Sequence, residues 1–106
     1  MPLGPNPFAY KTRSITSNYT ATSDDDVIFV DAGAGGVTVT LPPATNKGQF
    51  LAITKSEGSI NVVTVSRAGT DTIQGAVSVS LTLIHQKVIL CADGVSKWYK
   101  LSSDLV

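Results

Sequence analysis

The residue types that most often carry out catalysis are few and scattered in this 106-residue sequence. His85 is its one histidine and Cys91 its one cysteine. A cysteine nucleophile needs a base within hydrogen-bond reach and an electropositive setting, whereas Cys91 follows the apolar run 88–90, which is typical of an inert buried thiol. Zinc needs three or four ligands, more than these two residues supply. Acid–base catalysis would have to use Glu57 and the turn aspartates, and nothing in the sequence indicates that the pKa of any of them is raised. The sequence therefore predicts no enzymatic activity and no cofactor.

Two short segments, one acidic and one rich in glycine, are candidates for binding an ion or a phosphate. Residues 24–26 are three consecutive aspartates, but a Ca²⁺ site needs six to eight oxygens on a shaped loop, and no second acidic cluster follows. Like charges before a strand are more typical of a solvated turn or of protection against edge pairing. Residues 33–36 contain three glycines, yet a phosphate loop must be followed by a helix, and here the alternating run 37–41 follows. We expect neither a metal nor a phosphate site.

Aromatic side chains near the C-terminal end are candidates for stacking on a sugar ring. Trp98 and Tyr99 follow the turn residues Asp93 and Gly94, and Tyr10 and Tyr19 lie near the other end. A lone Trp in a final strand is more often a core or interface residue, because its large apolar surface is stabilising only when covered. We therefore favour a structural role for Trp98 and keep Trp98 and Tyr99 as candidate ligand-facing aromatics.

The elements that would position these residues are strands. Val37–Leu41 alternates apolar and polar residues, and Val77–Leu83 does so with its apolar residues on one face. Three other runs, 27–30, 50–53 and 88–91, are apolar on both faces, which predicts positions in the middle of a sandwich or beneath another subunit. Turn residues recur about every ten positions. We predict an all-β fold: a small antiparallel β-sandwich or barrel of about seven to eight strands.

Composition excludes several partners. Eight basic and eight acidic residues give no net charge, and a nucleic-acid or anionic-membrane surface would need a clustered basic excess. Charged residues make up 15% of the chain, against roughly 25% in a typical domain, so Ser, Thr, Gly or another chain must cover much of the surface. Low net charge also permits self-association. No secretory signal is recognisable at the N-terminus, and we expect synthesis in the cytoplasm.

The first fourteen residues differ from the remainder of the chain. Pro2, Pro5 and Pro7 remove backbone donors and favour extended conformations, and Leu3, Phe8 and Tyr10 give the segment more apolar anchorage than a solvated tail usually has. We predict an extended N-terminal arm over 1–14 that contacts a neighbouring subunit through Leu3, Phe8 and Tyr10, and a β-sandwich domain over 15–106.

Between roughly residues 15 and 101, the ordered series of strands and turns resembles a β-sandwich module that recurs in bacteriophage tail-fibre, virion appendage and decoration proteins. The residues that carry the resemblance are Thr16-x-x-Tyr19-Thr20, Asp26-Val27-x-Phe29-Val30-Asp31, Val37-Thr38-Val39-Thr40-Leu41-Pro42, Gly48-x-x-Leu51-x-Ile53-x-Lys55, Asn61-Val62-Val63-Thr64-Val65, Gly69-x-Asp71-x-Ile73-x-Gly75 and Asp93-Gly94-x-x-x-Trp98-Tyr99.

The resemblance implies a non-enzymatic structural protein of a virion that assembles as a homotrimer. Its partners would be copies of itself and other virion proteins, such as capsid or tail subunits. Two roles in a virion stay open, beside a third possibility, a non-viral sandwich module with an unknown partner. The first is a capsid decoration, or cement, protein anchored by its arm, which the apolar arm and the lack of shaft repeats favour. The second is a tail-fibre or baseplate module that binds host receptor glycans through its loops and aromatics.

Overall fold

Alternating β-branched and polar residues form strands between residues 12 and 103, since one face of each strand is then apolar enough to bury. The computed structural model describes residues 9–103, and over that range it is all-β with ten strands and no helix. The strands are β1 Thr12–Ile15, β2 Tyr19–Thr20, β3 Val27–Val30, β4 Val37–Thr40, β5 Phe50–Lys55, β6 Val63–Ser66, β7 Thr72–Ile73, β8 Ser78–Leu81, β9 Lys87–Ala92 and β10 Lys97–Ser103.

The strands form two sheets. Sheet A has six strands in the order β1-β3-β5-β9-β10-β7, and sheet B has four in the order β2-β4-β6-β8. From β1 to β9 the chain crosses to the other sheet after every strand, so that β1, β3 and β5 become parallel neighbours in sheet A while β2, β4 and β6 do so in sheet B. The later pairs β5–β9, β9–β10 and β6–β8 are antiparallel.

The predicted all-β class and sandwich architecture are confirmed, with two differences in detail. The chain has ten strands over the described residues, because β2 and β7 are two-residue strands that leave too short an alternation to recognise. The pairing is mixed, where we predicted it to be antiparallel. Alternation between buried and exposed positions is the same in parallel and antiparallel strands, so the sequence pattern does not distinguish the two.

The core lies between the sheets and is aliphatic apart from one aromatic ring. Trp98 of β10 has no exposed surface and donates a hydrogen bond from Nε1 to the carbonyl of Pro42 at 3.2 Å. The largest aliphatic side chains buried around it come from both sheets: Ile28, Val30, Val39, Leu41, Leu51, Ile53, Val63, Ile73, Leu81 and Leu90. The residues described include no helix long and apolar enough to cross a membrane.

Two sequence-derived boundaries differ from the structure. Strand β1 begins at Thr12, so the last three residues of the predicted arm belong to sheet A. The alternation over 77–83 predicted four apolar residues on one face, but β8 covers only its middle. Val77 and Leu83 are exposed because they lie beyond the two ends of β8, where the chain leaves the sheet.

Candidate functional site

The two outer faces of the sandwich differ in chemistry. Every outward-pointing strand residue of sheet B is a serine or threonine: Thr20, Thr38, Thr40, Thr64, Ser66, Ser78 and Ser80. The registers place Thr38 beside Thr64 and Thr64 beside Ser80, so that the hydroxyls run in rows across the strands. A face of this kind is well solvated and is typical of a sheet with one side in water.

Sheet A differs at the centre of its outer face, which is apolar, while Thr54, Lys87 and the outward residues of β1 keep the surrounding positions polar. On β3, β5 and β9 the inward positions are buried, while the outward positions hold further apolar residues, among them Phe29, Phe50, Ala52, Ile89 and Cys91. Because β3 pairs with β5 and β5 pairs with β9, these outward side chains are neighbours on one surface. We call the outward-pointing residues 27, 29, 50, 52, 89, 91 and 99, together with Tyr10, the sheet A patch.

Aromatic rings border this patch on two sides. Tyr10 stacks on Phe50 with ring centroids 5.6 Å apart and an angle of 17° between the planes, yet about half of Tyr10 stays exposed. Tyr99 pairs with Cys91 across β9 and β10 and is 44% exposed. The described chain therefore begins over the patch, and both rings keep apolar surface open to a partner.

Charged side chains lie at the margin of the sheet A patch. Lys87, at the start of β9, pairs with Thr54 of β5, and Lys97 begins β10. The patch contains no Asp, Glu, Lys, Arg or His. The surface is therefore suited to contact with another apolar surface and lacks the charges that would orient an ionic ligand.

One edge of the sandwich is closed by a polar cluster that joins the two sheets. Asp25 is buried and accepts hydrogen bonds from Arg13 Nε at 2.8 Å, Tyr19 Oη at 2.7 Å and the Thr22 backbone N–H at 2.9 Å. Arg13 belongs to sheet A and Tyr19 to sheet B, and the guanidinium lies 4.9 Å from the centre of the Tyr19 ring. Burial acts to raise the pKa of Asp25, but these hydrogen bonds outweigh it, and the pKa is lowered overall.

At one end of the sandwich, a second polar cluster organises the loop between β5 and β6. Lys55 points inward and has no exposed surface, and its Nζ donates to Glu57 Oε2 at 2.6 Å and to the carbonyls of Glu57 and Ser59 at 2.9 Å. The Glu57 carboxylate also accepts from the backbone N–H groups of Ala32 and Ser59. The hydrogen bond from Lys55 is the main reason that the pKa of Glu57 falls to about 2. The cluster fixes loop geometry.

The three aspartates at 24–26 make different contacts in the folded chain. Asp25 joins the polar cluster at the sandwich edge, and Asp26 accepts a hydrogen bond from the Lys11 backbone N–H at 2.8 Å. Asp24 is exposed, with one carboxylate oxygen 3.8 Å from Lys11 Nζ. Within residues 9–103, no three His, Cys, Asp or Glu side chains gather closely enough to hold a metal ion.

The glycine-rich loop 33–36 connects β3 with β4 across the two sheets. Gly33 donates its N–H to Asp31 Oδ1, and Gly35 donates to the Ala32 carbonyl, so two of the loop's donors are used within the turn. Together with residues 16–18, the loop lines an open depression of about 280 Å³. The depression has no charged side chain and no helix beside it, and so it lacks the features of an anion site.

His85 and Cys91 lie apart. His85 is in the turn before β9, with a left-handed φ of 66°, while Cys91 is near the far end of β9. The strand between them spans at least about 13 Å, which is too far for a base to take a thiol proton. The expectation of a buried thiol at Cys91 is wrong: its side chain points outward and is partly exposed in the sheet A patch, next to Phe50 and Tyr99.

The remaining predicted residues divide between core, surface and undescribed chain. Trp98 lies in the core without exposed surface, which corrects its place among the ligand-facing aromatics. Tyr99, one residue on, points outward and is exposed. Of the three arm anchors, Tyr10 contacts Phe50, while Leu3 and Phe8 lie outside the described residues.

A comparison with protein-family models finds no match to this chain, and a comparison with curated proteins finds none either.

Sequence reasoning missed both polar clusters and the extent of the patch. A signal for the first was present: Lys55 continues the inward alternation of Leu51 and Ile53, and an inward lysine needs an acid within reach, which Glu57 supplies two residues later. Arg13 and Asp25 are twelve residues apart, and no local rule pairs them. The strands of the patch were recognisable as three runs that are apolar on both faces. That these strands are neighbours in one sheet follows only from the strand order.

Proposed function

We propose that this chain is a non-enzymatic structural protein of a bacteriophage virion, a trimeric capsid decoration protein that is held in place by its N-terminal segment and the sheet A patch. The observation that carries the proposal is the contrast between the two outer faces, one built from serine and threonine and the other with an apolar patch on its central strands. Within one small sandwich, that contrast separates a face suited to water from a face suited to another protein.

The N-terminal segment supports the same role. Its first described residue with a large side chain, Tyr10, lies on Phe50 of the patch. Leu3 and Phe8 in that segment are apolar, and three prolines limit the conformational freedom that ordering it would cost. A decoration protein of this kind would add its segment and its patch to one continuous contact with the shell and with neighbouring copies.

A second candidate function is binding of host glycans by a tail-fibre or baseplate module. The observation in its favour is Tyr99, whose ring is 44% exposed on the outer face of sheet A. An exposed tyrosine can stack on the apolar face of a sugar, although glycan binding also needs directed hydrogen-bond donors and acceptors around the ring. The patch residues beside Tyr99, Cys91 and Phe50 among them, supply few of these.

Gold-labelled antibody imaging of phage particles that carry this protein tests the proposal. Decoration predicts label over the whole head, and particles made with a chain that lacks residues 1–8 should lose most of that label. The deletion leaves β1 intact, since β1 begins at Thr12. Label confined to the tail would contradict decoration. Binding of the truncated chain to host glycans at full strength would then favour the second candidate.

A further inference from the structure

We propose that β1 belongs to a detachable strap, residues 9–15, which opens from the edge of sheet A as one unit while the rest of both sheets stays folded. The strap and its opening concern the sandwich itself and do not rest on the proposed virion function.

The strap contributes little to the core. Three of the four residues of β1 are exposed, and only Ile15 is partly buried against the core. Tyr10 packs on Phe50, but about half of its surface stays exposed. By contrast, β3 places Ile28 and Val30 in the core with no exposed surface, and β5 and β9 bury apolar residues at alternate positions. Because burial of apolar surface is the main force that holds the sandwich together, β1 can leave the sheet with a small loss of it.

The backbone pairing of the strap is one-sided. β1 is the first strand in the order of sheet A and pairs with β3 alone. The Lys11 carbonyl accepts a hydrogen bond from the Val27 N–H at 3.0 Å. The Ile15 carbonyl accepts one from the Asp31 N–H at 2.9 Å. On its other side β3 pairs with β5, and that ladder does not include the strap. Opening of the strap therefore breaks one ladder and leaves the β3–β5 ladder in place.

Polar contacts with the turn before β3 hold the strap closed. Arg13 Nε donates to the buried Asp25 carboxylate at 2.8 Å, although the Arg13 side chain is itself 48% exposed. The Lys11 backbone N–H donates to Asp26 Oδ2 at 2.8 Å in an exposed position, where water competes for the same groups. A few polar contacts thus hold the strap, whereas the central strands of sheet A are held by the core.

The turn 16–18 is the hinge of the strap. Asn18 Oδ1 accepts a hydrogen bond from the Thr38 N–H at 2.8 Å, and β2 pairs with β4, so the chain beyond the hinge remains tied to sheet B. Opening uncovers the edge of β3, whose residues Val27–Val30 are apolar at every position. An uncovered edge exposes unpaired backbone groups that can pair with another strand. The strap therefore controls whether this edge of sheet A is open.

Native-state hydrogen exchange of the full chain, followed by NMR, tests the inference. The reporter amides are Val27 and Asp31, which donate to carbonyls of the strap. The reference amides are Ala52 and Ser56, which donate to carbonyls on the side of β3 that faces β5. If the strap opens as a unit, the two reporter amides should share one protection factor, at least about tenfold below those of the reference amides. Equal protection of all four amides would overturn the inference, because the strap would then open only when the whole sandwich unfolds.

Arg13→Gln gives a second test, because it removes the charged contact with Asp25 and keeps a polar side chain. Protection of the reporter amides should fall by at least about a further tenfold, while that of the reference amides stays the same. The matched control is Lys11→Gln, since Lys11 Nζ is exposed and lies 3.8 Å from the exposed Asp24. Its effect on the reporter amides should stay within about fivefold.

The reference amides also show whether each variant is folded. An equal fall in protection at the reporter and the reference amides of Arg13→Gln would overturn the inference, since the change would then act on the whole sandwich. If Arg13→Gln does not fold, the comparison of the four amides in the wild type decides alone. Neither outcome changes where gold label lies on the phage particle, so this inference and the decoration proposal fail independently.

Discussion

Lys55 occupies an inward position of β5 and has no exposed surface, which is rare for a lysine. Four hydrogen-bond acceptors from Glu57 and Ser59 surround its ammonium group. A charge buried in this way is tolerated only when it is paired and hydrogen-bonded. The pair therefore holds the β5–β6 loop in one conformation, and its stabilising effect depends on an ionised Glu57.

The pH dependence of folding tests this pair. The pKa of Glu57 is lowered from 4.5 to about 2 in the folded chain, so the ionised form stabilises the fold above about pH 4.5, and that contribution is lost as the pH falls towards 2. We expect Glu57→Gln to lower the urea midpoint clearly at pH 7 and only slightly at pH 2.5. Urea titrations of both chains at the two pH values measure this difference.

The control for this experiment is Asp24→Asn, since Asp24 is an exposed acid whose nearest cation, Lys11 Nζ, is 3.8 Å away and is itself exposed. Exposed pairs of this kind contribute about 0–1 kcal/mol. Its urea midpoint should stay close to that of the wild type at both pH values. An equal loss of stability for Glu57→Gln at pH 7 and at pH 2.5 would show that the carboxylate charge is not what stabilises the loop.

At the scale of the elements, the turn between β9 and β10 depends on one residue, Gly94. Gly94 has a φ of 88°, and a Cβ placed there would lie 2.6 Å from Cβ of Lys47 and 3.2 Å from its Cα. Gly94 also donates its N–H to the Ala44 carbonyl, which joins the turn to the loop before β5. Asp93 Oδ1 accepts from the N–H groups of residues 95–97 and completes the turn.

Gly94→Ala is expected to destabilise the fold by about 2–4 kcal/mol, since it combines left-handed backbone strain of about 1–3 kcal/mol with the contact against Lys47. Gly75→Ala is the matched control, because Gly75 has a φ of 87° and a Cβ placed there would have no atom within 4 Å. Gly75→Ala should lower the free energy of unfolding only by the part that is due to backbone strain. Thermal unfolding of both variants gives the comparison, and equal losses would mean that the approach of Lys47 is unimportant.

The sequence predicted individual strands better than their arrangement. The runs over 37–41, 50–53 and 88–91 were recognisable because alternation and β-branched residues act locally. Contacts between distant parts of the chain determine the rest: the short strands β2 and β7, and the parallel pairing of β1, β3 and β5. The same limit applies to the candidate site. The apolar runs could be recognised in the sequence, but only the order of strands in sheet A shows that their outward residues are neighbours on one surface.

At the scale of the whole molecule, the sandwich has one outer face of serine and threonine and a second outer face with an apolar patch on its central strands. The chain crosses between the sheets after almost every strand, so each sheet receives outward residues from all parts of the sequence. Strands that stay in sheet B carry Ser and Thr outward, whereas β3, β5 and β9 of sheet A carry apolar residues. This division between the two faces supports the proposed protein contact through sheet A.

The measurement that tests this account most directly uses Cys91, which lies in the sheet A patch and is the one cysteine of the chain. If another copy covers the patch, the rate of maleimide labelling at Cys91 should fall several-fold as the protein concentration rises from about 1 to 100 µM. The Phe29→Thr, Ile89→Thr variant should be labelled at one rate throughout. A wild-type labelling rate that is the same at every concentration would contradict the proposal that copies of the trimer meet through this face.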